Sequence, residues 1–391
     1  MIMKKDDIIP EFSLFGGPLQ KLGIRLGLVR EKTSSIRLGL ALALLTWGVL
    51  MLLAFLQGFG PKLFSLAVIA IHVRFLVAIP LLFICETLVV TRMREFVRYI
   101  VRSDLVPENE LPILASEIQR VRGIRDPWLL EVIFFIVAFA IPVIGLFVDL
   151  PGKTSGWVEI FVKPGAGLTW AQGWHLGFCL PLFRFLLLRW LWHLGLWWYF
   201  LWRVQKLNLR LIPTHSDGVG GLGYLEVVHE HFLPLALAIS AVYSGHFAED
   251  IASGAMPVEA LYHFVPIVLF FTATLVIGPL FIFFHDLWIC REKGLNEYMA
   301  MASRYARAFD RRWVRDEKAT GESQLGTADM QSLADLTNSL NVVRGMRCVP
   351  VSRRLAMELV VCVVLPFLPL LLLKYPIDQL VMGLFNVLTG Q

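Results

Sequence analysis

Seven apolar stretches, each long enough to cross a bilayer as a helix, constrain this 391-residue chain more than any other feature. A transmembrane helix needs about 20 consecutive, largely apolar residues. The predicted spans are Leu38–Gln57, Leu63–Val90, Trp128–Leu150, Gly173–Trp202, Leu225–Phe247, Val258–Ile289 and Leu355–Leu373. Charged residues make up only 17% of the chain, too few to cover a soluble globule of this size. The sequence therefore predicts an all-α, polytopic transmembrane bundle of about seven spans.

The basic residues predict the orientation of these spans. Of the 36 Lys and Arg residues, 29 fall in four alternate segments, at 1–37, 91–127, 203–224 and 290–354. Four others lie in the segments between, and three lie inside spans. Loops that carry an excess of Lys and Arg stay in the cytosol. We therefore expect a cytosolic N-terminus and a C-terminus on the opposite side.

The same boundaries divide the chain into four parts. A basic cytosolic segment, 1–37, precedes spans one to six, which occupy 38–289 with cytosolic loops at 91–127 and 203–224. Apolar residues at helical spacing predict a cytosolic helical hairpin within 290–354. The last part, 355–391, holds the seventh span and a short C-terminal helix, which is only about half a bilayer long.

The net charge of +5 does not indicate nucleic-acid binding here, because the basic residues cluster beside spans. In that position they attract anionic lipid headgroups. The expected partners are therefore the lipid bilayer and its anionic headgroups, without nucleic acid. The apolar stripes of the hairpin are expected to pack on each other or on a second copy, which favours a homo-oligomer.

Two arginines inside spans are candidate pore or substrate residues, because ionisable groups in a membrane are costly and are often functional. Arg74 and Arg184 each lie eleven positions beyond the predicted outer end of their span, about 16 Å deep. His72 lies on their outer side, and no acid is expected at their depth. They are predicted to line an aqueous route for anions. The alternative is pairing in a packed core with backbone carbonyls or with Thr46, Ser240 or Tyr243.

Four acids near the predicted cytosolic boundary are further candidates for the pore or the substrate site. They are Glu86, Glu131, Asp286 and Glu358, which come from four different spans or their ends. The alternative is that residues so close to the interface contact only water or lipid headgroups.

A glycine-rich segment, 211–224, joins the fourth and fifth spans. Its candidate site residues are His215, Asp217, Gly218, Gly220 and Gly221. The glycines allow positive φ and close backbone approach. The next helix presents Glu226, His229 and Glu230 on one face, because they are spaced i, i+3 and i+4. Together with His215 and Asp217 they are a candidate site for a divalent metal, or the turn binds a phosphate. The alternative is a tight turn capped by Asp217.

This turn carries a resemblance to a known group of proteins. Pro213, His215, Asp217, Gly220, Gly221, Leu222 and Gly223 form a P-x-H-x-D-x-x-G-G-L-G pattern. With the stretches 332–347 and 365–370, it resembles a set of uncharacterised multi-span proteins of the bacterial inner membrane. The resemblance implies a multi-pass protein of that membrane and implies no activity.

Three functions are compatible with these features. The first is a membrane channel or transporter for a small anionic solute, which the intramembrane arginines favour. The second is a metal-dependent membrane enzyme that acts on a lipid or lipid-linked substrate at the cytosolic interface. The third is a membrane sensor or scaffold, in which the hairpin binds a partner.

Overall fold

A computed structural model describes residues 35–125, 128–147, 169–315 and 328–372, with short pieces between 10 and 27. Within these ranges the chain is helical and contains no β-strand. The helices are α1 Ile36–Leu56, α2 Ile69–Arg102, α3 Leu111–Arg125, α4 Trp128–Phe147, α5 Trp170–Gln205, α6 Tyr224–Glu230, α7 Leu233–Ala252, α8 Leu261–Ile277, α9 Phe284–Phe309, α10 Ala328–Arg344, α11 Arg353–Val364 and α12 Leu368–Leu371. The predicted all-helical bundle is confirmed.

Six of the seven predicted spans correspond to helical stretches that are long and apolar enough to cross a membrane. They are Ile36–Leu56, Ile69–Arg102, Trp170–Gln205, Tyr224–Ala252, Val258–Val314 and Arg353–Leu371. The predicted third span is the 20-residue helix α4, in which Leu129–Ala140 is a shorter apolar stretch. The architecture is that of a multi-pass membrane protein. The predicted C-terminal helix at 376–390 lies outside the described residues.

Helices α2 and α7 form the centre of the bundle. Helix α1 packs on α2, α11 packs on α7, and α5 carries α3 and α4. Gly245 allows the close approach of α7 to α2, because a Cβ at this position would lie 3.0 Å from Ala70 Cα. Small residues at a helix interface let two backbones approach in this way. The contact places the C-terminal turns of α7 against the first turn of α2.

Helices α8 and α9 belong to one helical stretch of 57 residues, Val258–Val314. A 3₁₀ segment, Gly278–Phe283, joins them, and Pro279 lies at its start. Proline cannot continue the α-helical hydrogen bonds, which explains the local change in winding. Gly278 itself packs against Trp198 of α5, since a Cβ there would lie 2.7 Å from that ring.

Helix α10 packs along α9, and the two occupy the segment predicted as a helical hairpin. At the far end, the Tyr305 hydroxyl donates to the Asp329 carbonyl, and Trp313 Nε1 donates to the Asp329 carboxylate, both at 3.1 Å. The connection at 316–327 lies outside the described residues. The cytosolic position of the pair remains a prediction.

Helix α5 ends at Gln205, three residues beyond the predicted end of the fourth span at Trp202. The chain beyond it runs irregularly because Arg210 N donates a 2.8 Å hydrogen bond to the Leu105 carbonyl in the loop after α2. The backbone of this segment is therefore paired with another loop instead of with its own helix. Conversely, α2 runs without interruption to Arg102, well into the segment predicted as a loop.

Candidate functional site

Two helices that meet through Phe75 and His175 each widen into a π-helical segment, Val73–Ala78 in α2 and His175–Cys179 in α5. Each segment precedes a proline by two residues, Pro80 in the first helix and Pro181 in the second. Proline donates no N–H, and its ring clashes with the carbonyl four residues earlier, so the wider turn relieves the clash. Such segments are frequent at functional sites, which directs attention to the residues around them.

Arg74 lies in the first π-helical segment. Its guanidinium carbon is 5.7 Å from the centre of the Phe183 ring on α5. It lies within electrostatic range of Glu249 of α7 and of Arg184 of α5. The structure therefore places the two predicted arginines in one region of the bundle, and it adds an acid that was not expected there.

Glu249 lies beyond the predicted end of the fifth span at Phe247, but α7 continues past it to Ala252. The residue is only 2% exposed, and its Oε1 accepts a 3.3 Å hydrogen bond from Ala70 N. The first N–H groups of a helix have no partner inside it, and a carboxylate at that end also interacts favourably with the helix dipole. The expectation that no acid lies at the level of the arginines is therefore wrong.

Arg184, the second predicted arginine, has an unsatisfied hydrogen-bond donor within the described ranges. Its Nη1 atom is buried and has no hydrogen-bond partner among the residues that the structure describes. An unsatisfied donor on a charged group is expensive to bury. We call Arg74, Arg184 and Glu249 the arginine cluster. It holds two guanidinium groups and one carboxylate, so it carries an excess positive charge.

The alternative partners considered for the arginines are engaged elsewhere. The Thr46 hydroxyl donates to the Leu42 carbonyl at 2.8 Å, and the Ser240 hydroxyl donates to the Val363 carbonyl. Neither hydroxyl contacts a guanidinium in the described part of the chain, and Tyr243 is 42% exposed. Thr46 and Ser240 therefore do not supply the acceptors that the arginines need.

His72, predicted as a pore residue, uses both of its ring nitrogens in contacts within the bundle. Trp47 Nε1 donates to His72 Nδ1 at 2.8 Å, and His72 Nε2 lies 2.7 Å from the Leu63 carbonyl, to which it donates. A neutral imidazole has one donor and one acceptor, and both are used here. His72 therefore ties α1 to the chain that precedes α2 and has no free nitrogen for a solute.

Glu86, also predicted as a pore or substrate residue, forms a buried ion pair. Arg189 Nη1 lies 3.0 Å from Glu86 Oε2, and each side chain is 4% exposed. The Ser35 hydroxyl donates to Glu86 Oε1 at 3.4 Å, and Arg189 Nη2 donates to the Gly16 carbonyl at 3.3 Å. These contacts join the start of α1, α2, α5 and the N-terminal segment, so the pair is structural.

The other predicted acids lie apart from one another. Asp286 accepts from Gln205 Nε2 at 2.8 Å and lines an open cavity of about 580 Å³ between α5 and α9. Glu358 forms a 2.7 Å pair with exposed Arg354 on α11. Glu131 is half-buried on α4. The four acids predicted as pore or substrate residues therefore do not form one site.

In the glycine-rich turn, Asp217 holds the backbone together. Its carboxylate accepts hydrogen bonds from Val219 N, Gly221 N and Gly223 N at 2.9, 3.2 and 2.8 Å. Partial burial acts to raise the pKa of Asp217, but these N–H groups and the neighbouring His215 lower the pKa overall. Gly218, Gly220 and Gly221 all have positive φ, which explains the glycines. The capped-turn alternative describes this segment.

The metal site predicted from His215, Asp217, Glu226, His229 and Glu230 is not assembled. In the described ranges no group of three or more His, Cys, Asp or Glu residues is placed to hold a metal ion. Glu226 Oε2 instead pairs with Arg347 Nη1 at 3.1 Å. His229 is fully buried, where it accepts from Trp197 Nε1 at 3.1 Å and donates to the Val276 carbonyl. Glu226 and His229 are thus used in separate structural contacts, whereas His215 Nδ1 lies 2.9 Å from Asp217 Oδ1 within the turn.

Comparison with protein-family models, with curated proteins and with solved structures finds no match to this chain. The arginine cluster is therefore assessed on its own geometry.

Proposed function

We propose that the chain is a multi-pass protein of the bacterial inner membrane that conducts or transports a small anion. Arg74 and Arg184 bind the anion in this proposal. The observation that carries it is the excess positive charge of the arginine cluster, together with the unsatisfied Nη1 atom of Arg184. An anion would supply both the missing acceptor and the missing negative charge.

Glu249 gives the site a means of release. The Glu249 carboxylate, which is held at the start of α2, competes with the bound anion for Arg74. When the anion leaves, the negative charge of Glu249 remains near Arg74, which lowers the cost of release. Conducting or transporting proteins need binding that is strong enough for entry and weak enough for exit.

The bacterial inner-membrane location rests on the resemblance of the glycine-rich turn, and the cytosolic N-terminus rests on the distribution of basic residues. In this orientation the arginine cluster lies towards the outer half of the bundle. The apolar outer faces of the helices contact lipid. The alternative of a metal-dependent enzyme has no supporting group of ligands in the described residues.

The direct test is anion flux into proteoliposomes, measured for chloride and phosphate. Arg184→Ala is expected to weaken the apparent affinity about 10- to 100-fold, because a charge-assisted hydrogen bond is worth about 1.5–3 kcal/mol. Arg74→Ala is expected to act in the same direction. The matched control is Arg304→Ala, which removes an exposed arginine of α9 and is expected to leave flux unchanged. Equal flux in all three variants would overturn the proposal.

Glu249→Gln tests whether the negative charge of Glu249 opposes the binding of an anion. Glutamine keeps an oxygen that accepts from Ala70 N, but it removes the carboxylate that competes for Arg74. We expect the anion to bind a few-fold to about tenfold more tightly, because one unit charge at a buried site is worth at least about 1 kcal/mol. Apparent affinity from concentration-dependent flux measures this effect. Weaker binding in Glu249→Gln would contradict the role given to this residue.

A further inference from the structure

An apolar cavity of about 240 Å³ lies beside the arginine cluster, between α2, α5, α7 and α8. Phe183 belongs to both features, since its ring lines the cavity and lies beneath the Arg74 guanidinium at 5.7 Å. The apolar cavity is therefore adjacent to the Arg74 guanidinium.

The residues that line the cavity continue along α2 and α5, away from the arginine cluster. On α2, Ala78 and Leu82 line the cavity four residues apart. On α5, Leu187 and Leu191 follow Phe183 by four and eight residues and also line it. Residues at i, i+4 and i+8 of an α-helix share one face, so the lining on α5 continues for about two turns, or roughly 12 Å. The result is a narrow apolar slot with a cationic end.

The cavity is also open at its side. Leu191, Tyr243 and Phe271 line it and are 49%, 42% and 46% exposed on the surface of the described bundle. An apolar molecule can therefore enter from the acyl chains that surround a membrane protein. Apolar cavities stay dry and bind apolar molecules, and one of about 150 Å³ takes benzene.

We propose that the ligand of this site is a single-chain anionic amphiphile of the fatty-carboxylate class, with its head on Arg74 and Arg184 and its chain in the cavity. The inference deepens the proposed function, on which it rests, by naming the class of anion. Charge complementarity selects the head group, and the apolar lining selects the chain. The slot has the volume for one short chain, which favours a free carboxylate over a two-chain phospholipid.

The test is equilibrium binding of labelled decanoate to the purified protein in amphipol, at a pH at which decanoate is ionised. Acetate supplies the head alone, and decanol supplies the chain alone. We expect decanoate to bind at least tenfold more tightly than either. Affinity is expected to rise steadily from acetate through hexanoate and octanoate, by about two- to fourfold per methylene that enters the cavity.

Two variants separate the chain from the head. Ala78→Leu fills the cavity and is expected to weaken decanoate binding at least tenfold while leaving acetate binding unchanged. Arg184→Ala is expected to weaken the binding of both decanoate and acetate. Ala306→Leu, at an exposed position of α9, is the matched control and is expected to change neither. The chain-length series in the unmodified protein needs no variant, so it tests the inference even if Ala78→Leu fails to fold.

Each contrary result has a distinct meaning. Equal affinities for acetate and decanoate would overturn the amphiphile while leaving anion transport in place. Equal affinities for decanol and decanoate would remove the role of the guanidinium groups. Loss of decanoate binding in phosphatidylglycerol nanodiscs would assign the cavity to a bilayer phospholipid and overturn the inference. If no anion binds and no anion flux occurs, the proposed function fails as well.

Discussion

Glu86→Ala is expected to lower the free energy of unfolding by about 3–5 kcal/mol, because it leaves a buried arginine without its counter-charge. Arg189 is 4% exposed on its side chain, and its other contact is the Gly16 carbonyl. Its Nε atom already has no hydrogen-bond partner in the described part of the chain. Unfolding in mixed micelles, followed by circular dichroism, measures the loss.

The double variant Glu86→Met with Arg189→Met separates an ion-pair effect from a packing effect. Replacing a whole buried pair with apolar residues of similar volume is often neutral or stabilising. We therefore expect most of the lost stability to return and anion flux to persist. Glu358→Ala breaks a pair with an exposed arginine and serves as the control, with no measurable loss expected. A double variant as unstable as Glu86→Ala would contradict this account.

Asp217→Ala is expected to have the second large effect, with a loss of about 2–4 kcal/mol. The carboxylate accepts from three backbone N–H groups of the glycine-rich turn, and hydrogen bonds to charged groups are worth about 1.5–3 kcal/mol each before relaxation. Asp217→Asn keeps an oxygen acceptor and is expected to lose less. Thermal unfolding of the two variants beside the unmodified protein measures the difference.

The same residue predicts a pH dependence. The pKa of Asp217 is lowered in the folded protein, so its contribution is fully present above the unfolded value of about 3.9. Stability is lost as the pH falls below that value and through the folded pKa. In Asp217→Asn this part of the acid sensitivity should disappear. An unchanged acid limb in Asp217→Asn would show that other carboxylates are responsible.

The sequence was sufficient for the helical spans, because length and hydropathy are local properties of the chain. It was also sufficient to single out Arg74 and Arg184, since both are charges in apolar segments. The sequence did not predict that Glu249 lies near Arg74. Glu249 follows an apolar stretch and precedes Asp250, which is the pattern of a loop after a span. Only the packing of α7 against the first turn of α2 makes Glu249 a buried residue.

The partners of the predicted acids and metal ligands could not be identified from the sequence for a related reason. Glu86 was assessed without Arg189, although both lie in spans, because helices distant in sequence must pack before such a pair is visible. Helical spacing predicts that Glu226 and His229 share one helix face. In the structure, however, Glu226 pairs with Arg347 and His229 accepts from Trp197, so the two residues have different partners. The positions of Pro80 and Pro181 were the available signal for the π-helical segments.

The continuous helical stretch Val258–Val314 can convert a small change of angle at its 3₁₀ segment into a large displacement of its far end. The 31 residues that follow the Gly278–Phe283 segment correspond to an arm of roughly 46 Å. A tilt of about 10° at that segment would displace the far end by roughly 8 Å. Because Gly278 rests on Trp198 of α5, the helix that carries Arg184, small rearrangements around a bound anion would be magnified at the distal tip.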